Sequence, residues 1–139
     1  MKRIALIMDG WKRFFTYAWP AGILQRVRET NEEINLYIFN SSGDWSWATD
    51  YNTGEYNIYK LPDFNDFDGI IMDLNNIRYP EVADEIAKIV RNTKKPAISI
   101  SNKLPGFYYV GIDNRKSMTT IMEHLYHTRL PSILVHYGT

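Results

Sequence analysis

Six short apolar runs, each ended by turn-forming residues, constrain the fold of this chain more than any other feature. They are rich in Ile and Val, and Asp, Asn, Ser or Gly follows each of them. Runs of about four to eight apolar residues between turn residues are typical of strands that are buried on both faces. Such strands occur in parallel sheets that helices cover. The six runs are residues 3–8, 34–39, 69–72, 97–100, 108–112 and 132–137.

Three helical patterns lie between these runs, at residues 18–30, 80–92 and 114–129. Each repeats apolar side chains every three or four positions, which favours a helix with one buried face. Pro20 predicts that the first helix either starts near Tyr17 or bends, because proline cannot donate within a helix. The alternation of strands and helices predicts an α/β fold with a three-layer, Rossmann-like parallel sheet.

The stretch from residue 41 to residue 68 departs from this alternation. It contains two Gly, one Pro, five Asp and many aromatic residues, with little periodicity. We expect a long loop over 41–56, a short extended piece over 57–60 and one short helical turn within 62–67. A loop of this length inside a compact domain is usually functional or mobile.

Charge and cysteine content narrow the possible functions. The chain has 16 Lys+Arg and 16 Asp+Glu, so it has no overall positive field to attract nucleic acid. It has no Cys, which excludes disulfides, thiol catalysis and Cys-ligated metals. No apolar run approaches the ~20 residues of a membrane span, and no secretory leader follows Met1. We therefore expect a cytoplasmic segment that contacts neither nucleic acid nor membrane.

Polar side chains follow the strands at the edge where parallel sheets bind their ligands. Carboxylates, amides and hydroxyls beside aromatic rings suit a neutral polyhydroxylated ligand such as a sugar, because rings cover its C–H faces. Asp and Asn also end strands simply because they form turns, so both interpretations stay open. Trp19, in contrast, is expected to pack on the first helix. The candidate ligand-binding residues are Asp9, Trp11, Phe14, Phe15, Ser41, Trp45, Asp73, Asn75, Asn102 and Asp113, the last as a helix cap or a contact.

Two other classes of protein are alternatives. Asp9 and Asp73 end the first and third strands, where response-regulator receivers hold metal-binding and phospho-accepting acids. A receiver also needs a second acid beside Asp9 and a lysine after the last strand, and Gly10 and His136 stand in those regions. A flavodoxin-like protein is the other alternative. No dinucleotide, P-loop or nucleophile-elbow motif and no convincing metal-ligand set is present, so we expect no cofactor and no enzyme activity.

Four segments carry a family resemblance. Residues 2–29 resemble an opening strand followed by paired aromatics and a Gly-containing helix, and residues 67–76 resemble an Asp-Gly-Ile-Ile strand with its binding loop. Residues 95–106 are similar to the next strand and its loop. Residues 109–138 are similar to a strand, an Asp-Asn pair, a helix with Glu-His-Leu at 123–125, and a strand ending in Gly. Together they resemble the ligand-binding domain of LacI/GalR-type regulators, which has the type I periplasmic-binding-protein fold.

This resemblance implies the N-terminal lobe of a two-lobed sensor, with residues 1–112 in that lobe and residues 113–139 leading into a second, missing lobe. It implies that a sugar or similar metabolite closes the lobes, that closure acts on an output domain, and that the chain is a homodimer. No helix-turn-helix precedes Met1, and the aromatic stretch 41–68 stands where the family has its second helix. The aromatic opening and that stretch resemble sensors fused to GGDEF-type diguanylate cyclases, so a DNA-binding or a cyclase output stays open.

Overall fold

The centre of the fold is one sheet of five parallel strands in the order β2-β1-β3-β4-β5. The structure, a computed structural model, describes residues 1–10, 13–43 and 49–128, with residues 13–16 and 49 described as backbone only. The strands are β1 (Lys2–Asp9), β2 (Ile34–Ser41), β3 (Gly69–Asp73), β4 (Ala97–Ile100) and β5 (Tyr108–Val110).

Helices separate the first four strands along the chain, which confirms the predicted α/β fold with a Rossmann-like parallel sheet. Among the described residues no helix has the length and apolar character that crossing a membrane requires. The helices are α1 (Arg13–Thr30), α2 (Thr49–Tyr56), α3 (Pro80–Asn92) and α4 (Asn114–His127), with two short 3-10 helices at Asn57–Lys60 and Phe64–Asp66.

Strand register brings three polar side chains to one edge of the sheet. β1 pairs with β2 up to Asp9↔Ser41, and it pairs with β3 up to Met8↔Asp73. Because all strands are parallel, their carboxyl ends meet at this edge. Side chains alternate between the two faces of a strand, so Asp9 and its neighbour Met8 point to opposite faces. Asp73 pairs with Met8 in the register, so the Asp73 side chain lies on the face of the sheet opposite to that of Asp9.

One face of the sheet packs against α2, the 3-10 helices and α3. Every second side chain of a strand, such as those of Ala5 and Ile7, points to this face and packs against aromatic rings and the apolar side of α3. Each large apolar side chain buried in this way contributes roughly 1.5–3 kcal/mol. The core on this face consists of Ala5, Ile7, Tyr56, Tyr59, Phe64, Phe67, Ile70, Met72, Leu74, Ile77, Ile86, Ala87, Val90 and Ala97.

The opposite face is covered by α1 in the described ranges. Ile23 and Val27 of α1 lie beside Ile71 and Ile98 of the sheet and line the same apolar space. The helix α1 begins at Arg13, earlier than the start near Tyr17 that we considered, and it continues through Pro20. α4 buries none of its residues.

The stretch 41–68 is more helical than its sequence indicates. A helix, α2, occupies the second half of the expected loop, and a 3-10 helix replaces the expected extended piece at 57–60. These two predictions were wrong because the buried stripe consists of Asn52, Tyr56 and Tyr59. The three residues have helical spacing, but none of them is aliphatic, so the sequence shows little helical periodicity. The predicted helical turn within 62–67 is confirmed at Phe64–Asp66. The predicted strand at 132–137 lies outside the described residues.

Candidate functional site

An open crevice of about 460 Å³ lies at the carboxyl ends of β3, β4 and β5, on the face that α1 covers. We call it the carboxyl-edge crevice. This is the edge at which parallel α/β sheets bind ligands. Its lining residues are Trp19, Asp73, Asn75, Asn76, Ile100, Ser101, Val110, Gly111 and Ile112.

Asp73 and Trp19 form the polar centre of the crevice. The indole N–H of Trp19 donates to Asp73 Oδ2 at 2.9 Å, and the Asp73 residue is only 6% exposed. The other oxygen, Oδ1, lies 3.4 Å from the Asn75 backbone nitrogen and 3.3 Å from its side-chain nitrogen. An ionised carboxylate accepts about four hydrogen bonds, so Asp73 keeps capacity for a donor from a ligand.

Among the described residues that line the crevice, Asp73 is the one with an ionisable side chain. Within the described part of the chain, the ion pairs join other residues and none involves Asp73. A buried carboxylate without a cation favours ligands that bring hydrogen-bond donors, and it repels anionic groups. The crevice therefore suits a ligand with hydroxyl or amine donors better than a phosphate or a carboxylate.

Much of the remaining crevice wall is apolar, although Asn76 and Ser101 also line it. Val110 and Ile112 are 55% and 74% exposed, and they face the same space as the ring of Trp19. Exposed apolar side chains beside a few polar groups are the usual composition of a small-molecule site. The wall can thus cover the C–H surface of a ligand while Asp73 and Asn75 bind its polar groups.

Ser101 holds an uncommon backbone conformation at the end of β4. Its φ is 64°, in the left-handed region that residues other than Gly, Asn and Asp rarely adopt. The Ser101 N–H donates to the Val110 carbonyl at 2.8 Å, and the Asn102 N–H donates to the Ile100 carbonyl at 2.8 Å. This tight turn joins the ends of β4 and β5, and it places Ser101 in the lining of the crevice. Strained residues of this kind cluster at functional sites.

Asp9 and Ser41 form a separate network on the α2 face. The hydroxyl of Ser41 donates to Asp9 Oδ2 at 2.8 Å, and both residues are buried. The Tyr59 hydroxyl lies 2.7 Å from Ser41 Oγ and 2.8 Å from the Met8 carbonyl oxygen. Burial raises the pKa of Tyr59, and the charge of Asp9 raises it further, so the phenol stays protonated.

The network is closely packed around Gly43. A Cβ at Gly43 would lie 2.7 Å from the Tyr56 hydroxyl and 3.0 Å from Asp9 Oδ2. The Tyr56 hydroxyl also accepts the backbone N–H of Arg78 at 3.2 Å, and burial raises the pKa of Tyr56. The close packing indicates that Asp9 and Ser41 hold β1, β2 and α2 together.

The other predicted site residues fall in three places. Asn102 lines a smaller cavity of about 260 Å³ on the α3 face, which Asn75 also borders. Asp113 caps α4, because its side chain accepts the N–H of Lys116 at 2.9 Å. Trp11 and Trp45, together with the side chains of Phe14 and Phe15, lie outside the described part of the structure.

The structure thus brings Asp73 and Asn75 together and adds residues that were not among the candidate ligand-binding residues. Trp19, expected to pack on the first helix, instead hydrogen-bonds to Asp73 across the sheet edge. Ser101 and Ile112 also enter the crevice lining. A buried indole N–H needs an acceptor, so the acid at the end of the third strand was the signal that could have placed Trp19. No group of three His, Asp or Glu in the described ranges could hold a metal ion.

No protein-family model and no curated protein matches this sequence. Among solved structures, the chain is similar to a 3-dehydroquinate dehydratase-like protein from Bifidobacterium longum, with a TM-score of 0.46 and 9% identity. That likeness covers 92% of this chain and 98% of the other. At that level the likeness supports no statement about the function of this chain.

Proposed function

We propose that this chain is a ligand-binding domain whose carboxyl-edge crevice holds a small, neutral, polyhydroxylated molecule such as a sugar. The observation that carries the proposal is the Trp19–Asp73 pair, in which an indole orients a nearly buried carboxylate at the ligand-binding edge. Asp73 accepts hydroxyl hydrogens, Asn75 donates and accepts, and Trp19 with Ile112 covers the C–H face.

The wider role as a sensor rests on the resemblance to LacI/GalR-type regulators. In that role the ligand favours a closed arrangement of two lobes, and the change in population acts on an output domain. The crevice fits this role because Gly111 and Ile112, which connect β5 to α4, line it directly. A ligand bound there contacts the segment that leads out of the sheet.

Calorimetric titration with a panel of neutral sugars and polyols tests the proposal. We expect at least one to bind, and we expect the anionic phosphate or acid form of the same sugar to bind more weakly. Asp73→Asn should weaken binding about tenfold or more, since a hydrogen bond to a charged group contributes roughly 1.5–3 kcal/mol. Asp66→Asn is the matched control, because Asp66 is exposed and lies outside the crevice lining. Failure of the whole panel, or unchanged affinity in Asp73→Asn, would contradict the proposal.

A receiver-like function is a second candidate, because the strand order 2-1-3-4-5 occurs in receivers and flavodoxins and Asp73 ends β3. Against it, Asp9 points to the opposite face and accepts the Ser41 hydroxyl there. Incubation with a small phosphodonor and Mg²⁺, followed by mass spectrometry, distinguishes the two. An adduct on Asp73 would favour the receiver, and added flavin that stays bound would favour a flavoprotein.

A further inference from the structure

The strand β2 forms one outer edge of the sheet, because it pairs with β1 on one side and with no strand of the described ranges on the other. Edge strands in natural proteins are usually short, or they carry a charged residue, a Pro or a bulge that prevents a further strand from pairing. β2 has eight residues with no charged residue, no Pro and no Gly. Its register with β1 continues without a bulge from Lys2↔Ile34 to Asp9↔Ser41. The strand therefore lacks the usual features that keep an edge unpaired.

Backbone groups of alternate β2 residues point away from the sheet. The Lys2 N–H donates to the Glu33 carbonyl at 2.7 Å, so the backbone groups of Glu33 face β1. In a parallel strand the N–H and the C=O of one residue point to the same side, and those of the next residue point to the other side. The backbone groups of Tyr37 therefore face β1, whereas those of Ile38, which is 46% exposed, face the open edge. The residues with outward backbone groups are Ile34, Leu36, Ile38 and Asn40.

A hollow of about 330 Å³ borders β2 on the α2 face, and we call it the β2 hollow. Tyr37 and Phe39 pair in the register with Ala5 and Ile7 of the aromatic core, so their rings point to this face. The ring of Phe67 meets both rings edge-on, with centroid distances of 5.4 Å to Tyr37 and 5.8 Å to Phe39. All three rings line the hollow. The hollow thus offers aromatic surface directly beside the open edge.

The β2 hollow carries more negative than positive charge. Asp63 and Asp66 line it, and Arg3 is the basic residue among its described lining residues. Within the described part of the chain, no ion pair joins Arg3 to either acid. Hydrogen bonds from the backbone and side-chain nitrogens of Asn65 lower the pKa of Asp63, so this carboxylate is ionised at neutral pH. A long basic side chain suits this combination, since its apolar stem covers the rings and its charged end reaches the carboxylates.

We propose that the outer edge of β2 binds an extended basic peptide of a partner protein as an additional strand, with an Arg or Lys of that peptide in the β2 hollow. The peptide backbone pairs with the outward groups of Leu36 and Ile38, which provides affinity, and the hollow selects the basic side chain, which provides specificity. An added strand lies about 4.8 Å from β2, and every second side chain of it points to the α2 face, beside Tyr37 and Phe39. The carboxyl-edge crevice lies at β3, β4 and β5, so this role is separate from sugar binding.

Amide hydrogen exchange followed by NMR tests the added strand. The probe is a blocked peptide of alternating Arg and Val, which is extended in a sheet and places every Arg on one face. We expect it to slow exchange of the Leu36 and Ile38 N–H groups about tenfold or more, while the Tyr37 N–H, which faces β1, changes little. Unchanged exchange at Leu36 and Ile38 would overturn the proposal. So would slow exchange there without peptide, since the chain itself or, if only at high concentration, a second copy would then cover the edge.

Fluorescence anisotropy with the labelled peptide tests the role of the hollow. Asp66→Lys should weaken binding about tenfold or more, because it places like charges together. Glu85→Lys is the matched control, since it makes the same charge change at an exposed position of α3 outside the hollow, and it should bind normally. Ile38→Pro removes one outward N–H without touching the pairs with β1, so it should also weaken binding while circular dichroism shows a folded chain.

A peptide with Glu in place of every Arg should bind much more weakly than the basic peptide. Equal affinity of the two peptides, or equal affinity of Asp66→Lys and Glu85→Lys, would refute the proposal, and the comparison at Asp66 decides even if Ile38→Pro does not fold. Because no sugar is present in these measurements, none of their outcomes depends on the sugar-binding proposal.

Discussion

The hydroxyl of Tyr59 joins the first two strands to the helical segment that follows them, and its removal is a direct test of the α2-face network. Tyr59 is 2% exposed. Its hydroxyl lies within hydrogen-bond distance of Ser41 Oγ and of the Met8 carbonyl oxygen. Tyr59→Phe keeps the ring in the core and removes only this oxygen, so the change tests the polar contacts separately from packing.

The expected loss of stability follows from the burial of both partners. A typical hydrogen bond makes a net contribution of about 0.5–1.5 kcal/mol to the free energy of unfolding, and a buried polar group left without its partner costs about 1–3 kcal/mol. Ser41 is fully buried and still donates to Asp9, so its remaining lone pair loses its donor in the variant. We therefore expect Tyr59→Phe to lower the free energy of unfolding by about 2 kcal/mol.

Urea unfolding followed by circular dichroism measures this change. Tyr51→Phe is the control, because the Tyr51 hydroxyl donates to the Ser42 carbonyl at 3.1 Å but Tyr51 is 48% exposed. Water replaces the lost bond there, so Tyr51→Phe should stay within about 0.5 kcal/mol of the unmodified chain. Equal effects of the two substitutions would refute the argument, since burial would then not decide the cost.

Tyr59 should also make the free energy of unfolding depend on pH in the alkaline range. Burial raises the pKa of Tyr59 in the folded chain above its ordinary value, so the unfolded chain releases the phenol proton first. The stabilisation is present below pH of about 10 and declines as the pH rises further, by up to about 1.4 kcal/mol per pH unit. Tyr59→Phe should remove this part of the alkaline decline. An identical decline in the variant and the unmodified chain would contradict the raised pKa.

Four further substitutions test other parts of the structure by thermal or urea unfolding. Gly43→Ala should destabilise by about 1–3 kcal/mol, because its Cβ would contact the Tyr56 hydroxyl at 2.7 Å, whereas Gly54→Ala, inside α2 with open space around it, should stabilise by about 0.5–1 kcal/mol. The opposite result at either glycine would show that the packing is different. Ser101→Gly should relieve the positive φ and stabilise the fold by roughly 1 kcal/mol while weakening ligand binding at the crevice, and a loss of stability would contradict the strain. Asp113→Ala should cost about 1 kcal/mol and reduce the helix signal of α4, and an unchanged helix signal would refute its capping role.

The helical segment between β2 and β3 shows where sequence patterns fail. The stripe that α2 and the next 3-10 helix bury contains Asn52, Tyr56 and Tyr59. Asparagine is not counted as apolar, so the periodicity that signals a helix was hidden. What makes the two phenols compatible with burial is hydrogen bonding to groups distant along the chain, Tyr59 with Ser41 on β2 and Tyr56 with the backbone N–H of Arg78. Those partners exist only after the chain has folded.

The candidate site shows the same division. The sequence placed polar residues at the ends of the strands, and the structure confirms that Asp9 and Asp73 end β1 and β3. It could not tell which of them faces the crevice, because side chains alternate and a shift of one residue in register reverses the face. Trp19 is part of the site because α1 lies on the face of the sheet to which the Asp73 side chain points.

The sequence by itself determined the class of fold and the edge of the sheet at which polar side chains gather. Strands buried on both faces must be almost wholly apolar, so they stand out as short runs, and turn-forming polar residues mark their ends. Only the tertiary structure decided which polar residues meet. Register between strands distant in sequence assigns Asp9 to a closed structural network and Asp73 to an open crevice, and no local pattern records that choice.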